Sequence, residues 1–193
     1  MSDRIVIACL VGCSGAGKTE LIGSLPATYA KHSEGYTVHD GRGIAIDNSL
    51  HLSKFRYISH WYNFAIKLSL PEQKRARLIV SDRCPYDVGA YVSNGDLFFH
   101  LAKECEVELN AVYNVKLIKI YVRADLSTIL NRIKSRIIKQ PWRLKYHEDD
   151  VEFTSNSFSY FERHRNDWDF IIDGEDEIRE NTEKLVKYID QFK

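Results

Sequence analysis

An apolar run that ends in a glycine-rich turn and restarts at once as a helix leaves a chain few folds to choose from. Here Ile5 to Val11 is almost wholly apolar and runs straight into Gly12-Cys13-Ser14-Gly15-Ala16-Gly17-Lys18-Thr19. A short unbroken apolar run is the pattern of a central parallel strand covered on both faces. Gly12, Gly17, Lys18 and Thr19 fit the spacing G-x-x-x-x-G-K-[ST], with Gly15 as a further glycine inside it. Glycines accept the backbone angles that turn successive N–H groups toward one point, and a helix starting near Lys18 aims its positive end there. The group that suits such a point is a polyphosphate. Lys18 would neutralise its outer phosphates, and the Thr19 hydroxyl would ligate the Mg2+ that travels with it. Gly12, Cys13, Ser14, Gly15, Ala16, Gly17, Lys18 and Thr19 are thus the expected ATP-binding loop.

Beyond the loop, short apolar strands alternate with longer helical patterns. Strands are expected at Tyr36 to His39, Leu78 to Ser81, Leu117 to Val122 and Phe170 to Ile172, besides Ile5 to Val11. Helices are expected at Lys18 to Leu25, Ser49 to Leu70, Leu97 to Tyr113, Leu126 to Ile138, Asp150 to Arg165 and Glu177 to Phe192. Such alternation makes an α/β fold with a five-stranded parallel sheet and right-handed crossovers. No repeat, low-complexity tract or linker interrupts the 193 residues, so a single domain spanning 1–193 is expected.

Further residues fit the same chemistry. In LIVSDRCPYD, Asp82 ends a buried strand and Arg83 follows it. In an open parallel sheet that end of the strand faces the ligand crevice, so Asp82 is placed to hold Mg2+ through water and Arg83 to reach an anionic substrate. Asp40, in TVHDGRG, could take a proton from an attacking hydroxyl, although Asp-Gly is equally a turn pair. From Leu126 to His147 the chain holds Arg132, Lys134, Arg136, Lys139, Arg143 and Lys145 and no acidic residue. Arg132 and Arg136 share a helix face, where like charges repel unless an anion lies between them. A basic lid over about 132–147, closing on a transferring phosphoryl group, fits that pattern.

Composition removes several other classes. Lys+Arg and Asp+Glu balance at 27 each, so no global field draws the chain to nucleic acid or to a membrane surface. No apolar run spans a bilayer, and Ile5 to Val11 carries no cleavage-site pattern. Cys9, Cys13, Cys84 and Cys105 show no CxxC pair or zinc spacing, and reduced thiols in a cytoplasmic protein are the expectation.

Taken in this order, these features resemble the thymidylate kinase and deoxynucleoside kinase group of P-loop kinases, over nearly the whole chain. Asp82, Arg83, Ala90 and Tyr91 fall in the places of that group's D-R-Y-x-x-S-x-x-A-Y-Q pattern. LHLSKFR is similar to its L-L-F-S-A-N-R segment, HDGRG to R-E-P-G-G, and Ile172-Asp173-Gly174 to a closing I-D-A. The resemblance implies a three-layer P-loop NTPase fold with a helical lid, and ATP-dependent phosphorylation of a nucleoside or nucleoside monophosphate. It implies Arg56, Arg83 and Tyr91 as acceptor-binding residues and Asp40 at the acidic position. Lys18, Asp40, Arg83, Arg132 and Arg136 then carry catalysis, Thr19 and Asp82 the metal, and Arg143 a donor contact. Ser14, Leu52 and Val92 stand where thymidylate kinases have Asp, Phe and Gln, so the phosphate chemistry carries over better than the base recognition. Two other readings stay open: a kinase acting on a base or hydroxyl within a nucleic acid, and a nucleotide-dependent switch ATPase without a small-molecule acceptor. A homodimer is also an option.

Overall fold

The computed structural model describes residues 4–33, 50–70 and 77–193. The elements in chain order are β1 (Ile5–Val11), α1 (Lys18–Ser24), β2 (Ala30–His32), α2 (Leu50–Leu68) and β3 (Leu78–Asp82). Then follow α3 (Gly95–Tyr113), β4 (Val115–Arg123), α4 (Leu126–Lys139), α5 (Val151–Arg163), β5 (Phe170–Asp173) and α6 (Ile178–Ile189). Short 3-10 turns at Pro85–Tyr91 and Pro141–Tyr146 lie after β3 and after α4.

The five strands form one parallel sheet in the order β2-β3-β1-β4-β5. β1 lies at its centre because every residue from Ile5 to Val11 is buried, which only a strand covered on both faces requires. Alternate residues feed two cores. Ile5, Ile7, Cys9 and Val11 pack with Trp61 of α2, Phe99 of α3, Ile129 and Ile133 of α4 and Phe161 of α5. Val6, Ala8 and Leu10 pack with Leu21 and Ile22 of α1 and Leu185 and Ile189 of α6. The result is three layers, helices on both faces of the sheet, as expected. Among the described residues no helix is long and apolar enough to cross a membrane.

Most expected elements stand within two residues of their forecast ends, and the second strand differs. It is Ala30–His32, paired with β3 through Ala30–Ile79, Lys31–Val80 and His32–Ser81. The sequence expectation for that strand, Tyr36 to His39, lies outside the described residues. Ala30–His32 carries no apolar run, because an edge strand is covered on fewer sides and is held by its ladder to β3.

The topology positions the site. β1 is flanked by β3 and β4, with Leu10 beside Asp82 and Val11 beside Tyr121. The carboxyl ends of β1 and β3 therefore open side by side, the place where open parallel sheets take their ligands.

Candidate active site

The loop between β1 and α1 is built on left-handed glycines: Gly12, Gly15 and Gly17 have φ of 139°, 86° and 106°. At Gly12 a side chain is excluded twice over, by the backbone angle and because a Cβ would lie 2.5 Å from the Val122 carbonyl oxygen. The loop thus lies against the end of β4. Lys18 is only 5% exposed, and its Nζ donates to the carbonyls of Gly12 and Cys13 at 2.7 and 2.8 Å, arching over the loop it follows.

Cys13 contributes backbone alone. Its side chain is buried with Sγ 3.6 Å from Ser157 Oγ, and burial pushes the thiol up to about 11, so it is a protonated core group.

Thr19 and Asp82 meet as the Leu10–Asp82 register requires. Thr19 Oγ1 donates to Asp82 Oδ2 at 2.8 Å, while Asp82 Oδ1 is buried with no hydrogen-bond partner among the described residues. A hydroxyl and a carboxylate with one orphaned oxygen are hard oxygen donors beside the glycine loop, a set that fits Mg2+.

Arg83 turns the chain out of β3 in a left-handed conformation, φ 69°. Its Nη1 donates to Tyr91 Oη at 2.8 Å and Asp87 Oδ1 at 3.2 Å, with the Gly12 carbonyl at 3.4 Å. Asp87 is 2% exposed and also accepts the Cys84 N–H at 3.0 Å, which caps the 3-10 turn. Asp87 therefore joins the turn, Arg83 and the loop. Lys54 of α2, a buried lysine, lies 5.2 Å from the centre of the Tyr91 ring, and the Arg83 guanidinium lies 5.3 Å from it.

Burial raises the Asp87 carboxyl from an ordinary 3.8 to about 6, against the lowering pull of Arg83 and Lys18. The sign of the consequence is fixed by linkage. Between about pH 4 and pH 6 the folded chain holds a proton that the unfolded chain has released, so this group's contribution to stability falls as pH rises through that window and is level above it. Two pH units at 1.36 kcal/mol each make the buried charge cost about 3 kcal/mol near neutrality. Asp87→Asn should abolish that dependence. Urea unfolding of both proteins across the window is expected to give a stability difference that drifts by about 3 kcal/mol; a constant difference contradicts the assignment.

Arginines of α4 and of the turn after it reach the loop and its neighbours. Arg132 donates from Nη1 to the Ala16 carbonyl at 3.4 Å and from Nη2 to that of Gly174 at 2.9 Å, tying α4 to the loop and to the end of β5. Arg136 Nη2 donates to Ser14 Oγ at 2.8 Å and to Glu148 Oε2 at 2.6 Å. Arg143, in the turn after α4, pairs with Glu148 Oε1 at 3.1 Å. Burial, with Arg143 and Arg83 nearby, makes Arg136 hold its proton less tightly than an ordinary guanidinium, in spite of Glu148. Arg132, Arg136 and Lys139 also line an open groove of about 490 Å3 along α4.

Of the residues singled out in the sequence, Gly12 to Thr19, Asp82, Arg83, Tyr91, Arg132, Arg136 and Arg143 come together here. Arg56 does not join them among the described residues. It is exposed on α2, two positions and more than half a turn from the inward Lys54. Asp40 lies outside the described residues. Sequence reasoning missed Lys54, Asp87 and Glu148. Asp87 had a usable signal, a carboxylate four residues after Arg83.

The five-stranded parallel sheet, the glycine loop and the helices on both faces make a three-layer α/β fold. Solved structures of one enzyme share it. A deoxyadenosine kinase from M. mycoides with bound dATP is 17% identical, covers 95% of this chain and 99% of its own, and superposes with a TM-score of 0.59. The same enzyme with the products dCMP and a flexible dCDP gives 16% identity, coverage of 96% and 99%, and a TM-score of 0.56. With bound dCTP it gives 15% identity, coverage of 96% and 99%, and a TM-score of 0.52. No protein-family model matches the sequence, and no curated protein matches it.

Proposed function

We propose that this chain is an ATP-dependent kinase that transfers the γ-phosphoryl group to a nucleoside or nucleoside monophosphate. One observation carries the reading. Lys18, the Thr19–Asp82 pair, Arg83 and the lid arginines reach a single glycine loop from different elements at the open end of the sheet. A switch that only hydrolyses nucleotide needs no acceptor-side arginine held at the loop carbonyl and no arginine-bearing lid. The structural neighbours support a small deoxynucleoside-type acceptor, since their enzyme is a deoxyadenosine kinase and holds dATP, dCTP or dCMP with dCDP.

In this reading the loop amides and Lys18 hold the donor phosphates, and Arg132, Arg136 and Arg143 neutralise charge that spreads over the transferring group. Mg2+, held by Thr19 and Asp82, would supply further charge neutralisation on the donor phosphates. Arg83, braced by Asp87 and Tyr91, faces the acceptor, with Lys54 beside it. The acceptor oxygen bonds to phosphorus as the bridge to the β-phosphate breaks. The hydroxyl proton is assigned to Asp40 from sequence alone. Phosphoryl transfer of this kind is mostly positioning and charge stabilisation, which this set of residues can supply.

The decisive experiment incubates the protein with γ-labelled ATP, Mg2+ and a panel of nucleosides, nucleoside monophosphates and oligonucleotides. Label on a deoxynucleoside or its monophosphate is the expected result. Label confined to inorganic phosphate or to oligonucleotides would overturn the reading.

A further inference from the structure

We infer that Glu148 is a positioning residue, whose carboxylate holds Arg136 and Arg143 together over the phosphate loop and leaves one edge of Arg136 for the ligand. The inference rests on the kinase reading for what that edge binds, though not for the brace itself.

The local chain aims this side chain inward. His147 adopts a left-handed conformation, φ 56°, between the turn Pro141–Tyr146 and α5, and its N–H closes on the Leu144 carbonyl at 3.0 Å. Asp150, accepting the Phe153 N–H at 3.0 Å, starts α5 immediately afterwards. Between these two fixed points Glu148 is buried while Asp149 and Asp150 are exposed. An unpaired carboxylate at 8% exposure would be costly, and this one is fully engaged. Oε2 accepts from Arg136 at 2.6 Å, and Oε1 accepts from Arg143 at 3.1 Å and from Ser14 Oγ at 3.0 Å. Arg136 also donates to Ser14 Oγ at 2.8 Å, which closes a ring of loop, lid helix and lid turn.

Two features make this a brace for function. First, two guanidinium groups this close repel each other, and without an anion between them they move toward water. Glu148 supplies the anion before any nucleotide does. Second, it engages Arg136 through Nη2, and Arg136 Nε is buried with no partner among the described residues. A buried guanidinium edge with an unused N–H, held beside the loop, suits an oxyanion.

The test is Glu148→Gln, with thermal melting to verify the fold. Removing the charge should lower kcat at least tenfold while the KM for ATP changes less than threefold. In an Arg136→Ala/Arg143→Ala background the same substitution should lower kcat by less than twofold, because its effect passes through these two arginines. An unchanged kcat, or a full loss in both backgrounds, overturns the inference. A second arm needs no nucleotide. Limited trypsin digestion of the ligand-free protein should cut after Arg136, Lys139 and Arg143 several-fold faster in the variant, and equal rates overturn the brace. If the wild type phosphorylates nothing, the kinase reading falls and the trypsin arm still decides this one. Should Glu148→Gln fail to fold, Ser14→Ala opens the same ring, and it is expected to speed the same cleavages or else contradict the inference.

Discussion

Lys18→Ala should slow phosphoryl transfer about a thousandfold, on the order of 4 kcal/mol of barrier, with the fold intact. The expectation follows from where the ammonium group sits. It is almost wholly buried and already spans the Gly12 and Cys13 carbonyls, so its charge is fixed over the loop before a ligand arrives. Preorganised charge in a water-poor site is worth far more to a developing anion than a mobile surface lysine is. The truncation also removes one donor from each of two loop carbonyls, so a modest loss of stability accompanies it, about 1–3 kcal/mol. Lys18→Met, which retains most of the aliphatic stem, separates packing from charge. Both variants should lose turnover alike in a single-turnover assay while the methionine variant melts closer to wild type. A folded Lys18→Ala protein with full transfer would remove the loop from the mechanism.

Asp82→Asn should produce the second large effect, a 10- to 100-fold loss of the Mg2+-dependent part of ATP affinity, about the cost of losing a ligand-orienting carboxylate. The substitution preserves shape and can still accept from Thr19 Oγ1, so the loss would be traced to charge and to the orphaned Oδ1. Without Mg2+ the variant should bind ATP as well as wild type or better, because a negative charge near the phosphates has gone. Titrations with and without the metal separate these outcomes. Equal Mg2+ dependence in both proteins would move the metal elsewhere.

Much of this arrangement was legible from residue order, for definite reasons. A strand buried on both faces must be apolar throughout, so β1 announced itself, and a loop that turns its amides inward needs glycines at fixed spacing. Asp82 followed from being the last residue of another buried strand. What escaped was whatever depends on contacts between distant segments. Ala30–His32 is a strand because β3 lies beside it, and its own residues carry no period-two pattern. On α2, with cations at both Lys54 and Arg56, sequence alone could not say which faced inward; the fold turns Lys54 in and Arg56 out. Glu148 reads as part of an exposed acidic run, Glu148-Asp149-Asp150, yet it meets Ser14, 134 positions earlier in the chain. Asp87 was visible as a carboxylate, but its burial against Arg83 and the loop was not.

Isothermal titration of the purified protein with ATP, in the presence and absence of Mg2+, tests the central claim most directly. The account predicts saturable one-to-one binding that Mg2+ strengthens and that Lys18→Ala weakens sharply. Heats indistinguishable from dilution under both conditions, in a protein shown to be folded, would contradict it.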